Sequence, residues 1–137
     1  MSLVVDASVA LAWYFEDEAA EASDAVLRQV LKGGAVVPPV WQFEIANALQ
    51  MAVRRKRVDA SFRDRALSNL ATMAIEVDSE SHGLAWSACV QLSDRYDLTV
   101  YDAAYLELAQ RRRFRLATLD RALIRAANAE RVSVIGN

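Results

Sequence analysis

The sequence opens with a short apolar run, Leu3–Val5, that ends at a carboxylate, Asp6. Such a run, rich in β-branched residues, predicts a strand covered on both faces, as in a parallel sheet. Ala7 and Ser8 lead into a helical pattern, so the strand should run directly into a helix. Because the carboxyl ends of parallel strands are where open α/β sheets bind ligands, Asp6 is the first candidate for a functional residue. A role as helix cap explains it equally well.

The rest of the chain alternates short apolar runs with helical patterns. Further strands are predicted at 35–37, 74–77, 114–117 and 132–135. A short turn or helix is predicted at 9–15, and helices at 18–31, 40–55, 61–73, 81–94, 103–112 and 121–129. Lys32-Gly33-Gly34 should stop the second of these helices, since glycine tolerates the left-handed conformation of a helix end. This alternation predicts an α/β fold, a three-layer α/β/α sandwich with a central, mostly parallel sheet.

Length and composition narrow the class of protein. The 137 residues are 54% hydrophobic and 25% charged, which predicts one globular domain over residues 1–137. No apolar run approaches the ~20 residues of a membrane span, and no secretory signal precedes the first strand, so we expect no membrane association and a cytoplasmic location. The net charge of −2 argues against a protein that coats nucleic acid without selectivity.

Cysteine and histidine usage constrains the chemistry further. The chain has one cysteine, Cys89, and one histidine, His82, so an internal disulfide, a His-rich zinc site and a Ser-His-Asp triad are all disfavoured. Any metal site would therefore use oxygen ligands, which Mg²⁺ and Mn²⁺ prefer.

Three further acids are candidates for functional residues. Glu44 lies in an otherwise largely apolar part of its helix, where burial of an unpaired carboxylate is costly unless a partner such as a metal ion draws it in. Asp102 opens the helix that leads into the fourth strand, and Asp120 follows that strand. Taken singly, a solvated helix face explains Glu44, and helix capping explains the two aspartates.

Three of the acids are predicted to lie on the same side of the sheet, an arrangement that helix capping alone does not require. Asp6 and Asp120 both follow the carboxyl ends of predicted parallel strands, and Asp102 begins a crossover on the same side, so all three should converge on one crevice. Carboxylates packed there would raise one another's pKa values unless a cation neutralised them. A Mg²⁺ ion held by a few carboxylates suits hydrolysis of a phosphodiester, because it polarises the phosphoryl oxygen and activates a water.

The sequence resembles the PIN domain and, among PIN proteins, the VapC-type toxin ribonucleases of toxin–antitoxin pairs. Four motifs in the right order carry the resemblance over essentially the whole chain: Val4–Ser8, Phe43–Leu49, Leu98–Ala109 and Leu116–Asp120. The resemblance implies an acidic quartet that coordinates one or two Mg²⁺ or Mn²⁺ ions, namely Asp6, Glu44, Asp102 and Asp120. Asp6 and Asp102 would be direct ligands, Asp120 would bind directly or through water, and Glu44 would complete the site or orient the attacking water.

The same resemblance implies accessory residues and partners. Ser8 and Thr118 match accessory positions where a hydroxyl orients a carboxylate or a water, and Asn47 is a further candidate. The expected activity is that of an endoribonuclease toxin that cuts structured RNA at a single-stranded position. The implied partners are a cognate antitoxin, which blocks the metal site with a helix and a basic side chain, and a second copy of the chain in a homodimer, with a larger complex on antitoxin binding.

Two alternatives have different chemistry. A receiver-like signalling domain also gathers acids around Mg²⁺, but it requires paired acids after the first strand, and Asp6 stands alone. It also requires a lysine after the last strand, and residues 132–137 contain none. A PIN-like module that binds RNA or protein without catalysis is disfavoured because all four acids are present.

The basic clusters and several aromatic residues can be explained either by a function in binding or by a structural role. The clusters Arg54–Arg57 and Arg111–Arg113, with Arg115, suit phosphate contacts, and solvated helix ends explain them as well. Trp13, Phe15 and Trp41 suit core packing, stacking on unpaired RNA bases or an apolar surface for an antitoxin helix.

Overall fold

A computed structural model of the protein describes residues 3–15 and 20–135. The strands are β1 (Leu3–Val5), β2 (Ala35–Val37), β3 (Ile75–Val77), β4 (Arg115–Ala117) and β5 (Val134–Ile135). The helices are α1 (Ala7–Ala12), α2 (Ala20–Gly33), α3 (Val40–Arg54), α4 (Ala60–Ala71), α5 (Val90–Tyr96), α6 (Val100–Arg112) and α7 (Arg121–Ala129). The predicted start of the second helix at Glu18 lies outside the described residues.

The described strands form one parallel sheet in the order β3-β2-β1-β4-β5. In β1, Val4 pairs with Val36 of β2 on one side and with Leu116 of β4 on the other. The chain therefore moves outward from β1 to β2 and β3, and then returns to β4 on the opposite side of β1. Helices flank this sheet, which confirms the predicted α/β/α architecture. The reversal of strand order beside β1 creates the crevice in which such sheets bind ligands.

Helix α3 buries the apolar stripe that its sequence predicts, with Trp41, Ile45, Leu49 and Ala52 facing the core. Helix α2 ends next to Gly34, whose φ of 76° lies in the left-handed region. A Cβ at Gly34 would stand 2.6 Å from the carbonyl oxygen of Ala74, so glycine is required there both for its conformation and for its size. No helix in residues 3–15 or 20–135 combines the length and apolar character needed to cross a bilayer.

Several element bounds differ from those predicted: α1 begins at Ala7 and ends at Ala12, and β5 is confined to Val134–Ile135. Two larger differences concern α6 and the segment before α5. Helix α6 begins three residues before the predicted start at Ala103, because Thr99 caps it: the Thr99 hydroxyl oxygen accepts a hydrogen bond from the backbone N–H of Asp102 at 3.0 Å. Asp102 therefore lies in the first turn of the helix and is not its cap. The single helix predicted over 81–94 is instead a 3₁₀ turn (Ser81–Leu84), a π-helical turn (Ala85–Cys89) and then α5.

Candidate active site

Asp6 stands at the end of β1, on the crevice beside β4. Its backbone N–H donates to the carbonyl oxygen of Ala117 at 3.0 Å. Its Oδ1 accepts hydrogen bonds from the backbone N–H of Val9 at 3.2 Å, which caps α1, and from the Ser8 hydroxyl at 2.7 Å. Its Oδ2 accepts from the Thr118 hydroxyl at 2.5 Å. With only 4% of its surface exposed, this carboxylate is both a helix cap and a part of the crevice.

Two hydroxyls join the ends of β1 and β4. The fully buried Thr118 donates to Asp6, and its Oγ1 also accepts from the backbone N–H of Asp120 at 3.0 Å. The Ser8 Oγ accepts from the backbone N–H of Leu119 at 3.1 Å. The Asp120 carboxylate accepts from the backbone N–H of Leu123 at 3.0 Å, so it caps α7. Ser8 and Thr118 therefore hold the Asp6 carboxylate in a fixed orientation next to the loop that carries Asp120.

Glu44 and Asp102 reach the crevice from α3 and α6. Glu44 is half-buried, and its Oε1 accepts a hydrogen bond from the Tyr105 hydroxyl at 2.5 Å. Tyr105 is 1% exposed and follows Asp102 by three residues, so the two lie on the same face of α6. Sequence reasoning missed Tyr105, although its spacing from Asp102 was a usable signal.

Asp6, Glu44 and Asp120 each lie close enough to Asp102 for their charges to interact with it. Burial, with a smaller contribution from the charge of Asp102, raises the pKa of Asp6 to about 6 despite hydrogen bonds that lower it. Burial and the charge of Asp102 likewise raise the pKa of Glu44. Burial and the charge of Asp120 raise the pKa of Asp102. Asp102 is thus the acid through which the other three are electrostatically coupled.

The donor chemistry of this cluster fits Mg²⁺ or Mn²⁺. Among residues 3–15 and 20–135, no three His, Cys, Asp or Glu side chains lie close enough together to enclose one metal ion. Mg²⁺ does not require such a cage, because it commonly binds through one or two carboxylates and keeps several waters. The candidate ligands are all hard oxygens whose charges repel, and a divalent cation would relieve that repulsion.

Comparison with known proteins identifies the family. The PIN domain family model matches residues 3–129. This chain belongs to the PIN domain family. It is 30% identical to Ribonuclease VapC3 of Pyrobaculum aerophilum over 123 residues, which are 90% of this chain and 92% of that protein. It also resembles the crystal structure of PAE2754 from Pyrobaculum aerophilum, with a TM-score of 0.68, 25% identity and coverage of 92% of this chain and 86% of that one.

The resemblance predicted from the four motifs is therefore confirmed. The receiver-like alternative is rejected, because the PIN match spans nearly the whole chain. Of the accessory residues predicted for this PIN domain, Ser8 and Thr118 contact Asp6. Asn47 is exposed on α3, about one turn after Glu44.

Several arginines considered for phosphate contacts in this PIN domain are engaged within the protein. Arg111 and Arg112 each form an ion pair with the buried Asp78, at 2.8 Å and 2.7 Å. Arg111 also pairs with Glu107 at 2.8 Å. Arg115 donates to the side-chain oxygen of Gln29 at 2.8 Å. The structure therefore favours an internal structural role for Arg111, Arg112 and Arg115 over contact with RNA.

Proposed function

We propose that this PIN domain is a Mg²⁺- or Mn²⁺-dependent endoribonuclease that acts in the cytoplasm as the toxin of a toxin–antitoxin pair. The observation that carries the proposal is the electrostatic coupling of Asp6, Glu44 and Asp120 to Asp102 at the crevice between β1 and β4. Similarity to a ribonuclease over nine-tenths of both chains supports RNA as the substrate.

Each residue of the cluster has a distinct task in this proposal. Asp6 and Asp102 would hold the metal ion, with Asp120 and Glu44 completing the site. A cation held by these carboxylates would supply a Lewis acid for the phosphoryl oxygen and would lower the pKa of the attacking water. Ser8 and Thr118 restrain the Asp6 carboxylate by donating to each of its oxygens. Burial at this crevice strengthens the interaction of the carboxylates with a cation, because little water screens them.

Cleavage of RNA by matched variants tests the proposal. Purified protein should cut transfer or ribosomal RNA with Mg²⁺ or Mn²⁺ and should stop in excess EDTA. Asp102→Asn should reduce the rate by about a hundredfold or more, since a ligand charge is lost while circular dichroism remains unchanged. Asp94→Asn, at an exposed position on α5, is the control and should cut normally. Undiminished cutting by Asp102→Asn or in EDTA would refute the proposal, and RNA binding without cleavage would indicate a non-catalytic module.

We propose in addition that the protein forms a homodimer and binds a cognate antitoxin. Large apolar side chains are exposed at the start of α6 and in the segment that leads into α5: Tyr101 is 62% exposed and Trp86 is 95% exposed, and Val100 and Val90 are exposed as well. An apolar cleft of about 230 Å³ lies at the start of α6, lined in part by Val100, Tyr101 and Ala85, the last of which precedes Trp86 in the sequence. Exposed apolar patches of this kind favour association with another protein surface.

Oligomeric state tests the dimer. Trp86→Glu should convert the protein to a monomer in sedimentation equilibrium, because a charge on the apolar patch opposes its burial. Leu31→Glu, at an exposed apolar position on α2, is the control and should leave the dimer intact. A wild-type monomer at micromolar concentration would refute this part of the proposal. The antitoxin should be found as a protein that abolishes RNA cleavage when it is co-purified with the toxin.

A further inference from the structure

We propose that Tyr105 is a positioning residue for the active site, whose hydroxyl fixes the Glu44 carboxylate relative to Asp102. The inference rests on the proposed function, because it assigns Glu44 a place beside a metal ion. Tyr105 itself would touch neither the metal ion nor the RNA and would act through Glu44.

The first argument is the placement of the tyrosine. Its ring is buried on α6, and its hydroxyl donates to Oε1 of Glu44, which is 61 positions away on α3. Asp102 stands one turn earlier on the same face of α6. A single rigid helix therefore carries one acid of the cluster and the group that holds another, so Tyr105 determines how far Glu44 lies from Asp102.

The second argument is the freedom of the glutamate side chain. A half-buried glutamate has three side-chain torsions, and its carboxylate would occupy several positions without a partner. The hydrogen bond to Oε1 removes much of this freedom, and the second oxygen, Oε2, can still bind a metal ion. Partners of metal ligands that act in this way typically change metal affinity 10- to 100-fold when they are removed.

A second tyrosine–carboxylate pair in the same chain has a different character. Tyr96 donates to Oε2 of Glu130, but Glu130 also accepts from Arg95 at 3.0 Å and from Gln110 at 2.6 Å. A cation therefore neutralises Glu130, as expected for a structural contact. No ion pair of Glu44 is found among residues 3–15 and 20–135, so its charge is not balanced by an arginine or lysine there. An uncompensated carboxylate held by a neutral donor is suited to receive a cation.

Titration with Mn²⁺ tests the inference with a matched control. Tyr105→Phe keeps the buried ring and removes only the hydroxyl, whereas Tyr96→Phe makes the same change at the other pair. In isothermal titration calorimetry with Mn²⁺ alone, we expect Tyr105→Phe to weaken binding about 10-fold or more. Tyr96→Phe should stay within about twofold of wild type. Equal Mn²⁺ affinities of Tyr105→Phe and wild type would overturn the inference.

A double-mutant cycle separates positioning of Glu44 from a general effect on the fold. Glu44→Gln should weaken Mn²⁺ binding, and Tyr105→Phe should add less than about twofold in that background. A further 10-fold loss on adding Tyr105→Phe would contradict the inference, because Tyr105 would then act through another group.

If Tyr105→Phe does not fold, a measurement on proteins that retain Tyr105 still tests the inference. Mn²⁺ should perturb the tyrosine absorbance of wild type in an ultraviolet difference spectrum, because the cation changes the carboxylate that Tyr105 contacts. Glu44→Gln should lose this perturbation. Its absence in wild type, or its persistence in Glu44→Gln, would overturn the inference.

The outcomes distinguish this inference from the proposed function. If wild type binds Mn²⁺ and Asp102→Asn does not, while Tyr105→Phe binds like wild type, only the role of Tyr105 fails. If wild type neither binds Mn²⁺ nor cuts RNA, the proposed function fails and the role of Tyr105 fails with it.

Discussion

The Thr118 hydroxyl donates a hydrogen bond to Oδ2 of Asp6, joining two residues 112 positions apart in the sequence. They follow the adjacent strands β4 and β1, at the point where the order of strands reverses. The same hydroxyl oxygen accepts from the backbone N–H of Asp120. Thr118 thus links two acids of the cluster, and its removal should affect both stability and activity.

Thr118→Val keeps the shape of the side chain and deletes this link. A buried acceptor on Asp6 and a backbone donor at Asp120 would lose their partner, so we expect a loss of about 1–3 kcal/mol in the free energy of unfolding, measured in urea. RNA cleavage should fall at least 10-fold, as for other residues that orient metal ligands. Thr118→Ser should restore both properties.

Thr72→Val provides the control for this prediction. The Thr72 hydroxyl donates to the carbonyl oxygen of Asn69 on an exposed surface, so its loss should change stability by less than about 0.5 kcal/mol. If Thr118→Val were as stable and as active as Thr118→Ser, the link between Asp6 and Asp120 would contribute neither to stability nor to RNA cleavage.

The raised pKa of Asp6 predicts how the metal-free protein depends on pH. Burial raises this pKa from 3.8 to about 6, so between these values the folded state binds the proton more tightly than the unfolded state. Acidification from pH 7 to pH 4 should therefore stabilise wild type relative to Asp6→Asn, by roughly 2–3 kcal/mol. At pH 7 without metal, Asp6→Asn should be as stable as wild type or more stable, because the buried charge is gone.

Urea unfolding of wild type and Asp6→Asn in EDTA, from pH 4 to pH 7, measures this difference. The neutral asparagine does not titrate, and the Ser8 and Thr118 hydroxyls can rotate to suit it. Saturating Mg²⁺ should increase the stability of wild type relative to Asp6→Asn at pH 7, because the cation stabilises the charged Asp6 carboxylate. A variant clearly less stable than wild type at pH 7 in EDTA would mean that Asp6 is mainly a structural cap.

The sequence predicted those features that depend on local pattern. Runs such as Ala35–Val37 are apolar and too short for helices, so the strands were recognisable, and Gly34 marked the end of α2. The positions of Asp6 and Asp120 followed from the general location of ligands at the carboxyl ends of parallel strands. Thr118 was implied only by the resemblance to the PIN family.

The features that sequence reasoning missed depend on contacts between distant segments or on competition between caps. Thr99 and Asp102 are both good caps, and only the structure shows that Thr99 takes this role. The pairing of Tyr105 with Glu44 requires the fold to bring one residue of α6 within hydrogen-bonding distance of one residue of α3, which no local pattern predicts. The basic run at 111–113 suggested contact with phosphate. The sequence does not reveal that Asp78, which follows the distant strand β3, pairs with Arg111 and Arg112.

The buried Asp78 gives a final prediction about stability. It follows the edge strand β3, and its carboxylate accepts from Arg111, Arg112 and the Ser81 hydroxyl. Burial alone would raise the pKa of Asp78, but these hydrogen bonds hold it well below its usual value. Asp78→Ala would leave two arginines without this partner, so we expect a loss of about 3 kcal/mol or more in the free energy of unfolding at pH 7.

The exposed pair of Arg63 and Asp64 is the control for this change. Its carboxylate is 66% exposed, and Asp64→Ala should cost less than about 1 kcal/mol, as for surface ion pairs in general. The cost of Asp78→Ala should shrink below pH 4, because the lowered pKa of Asp78 stabilises the fold only where the carboxyl group of the unfolded chain is ionised. Equal losses for the two variants in urea unfolding at pH 7 would show that the arginine cluster does not anchor β3 to α6.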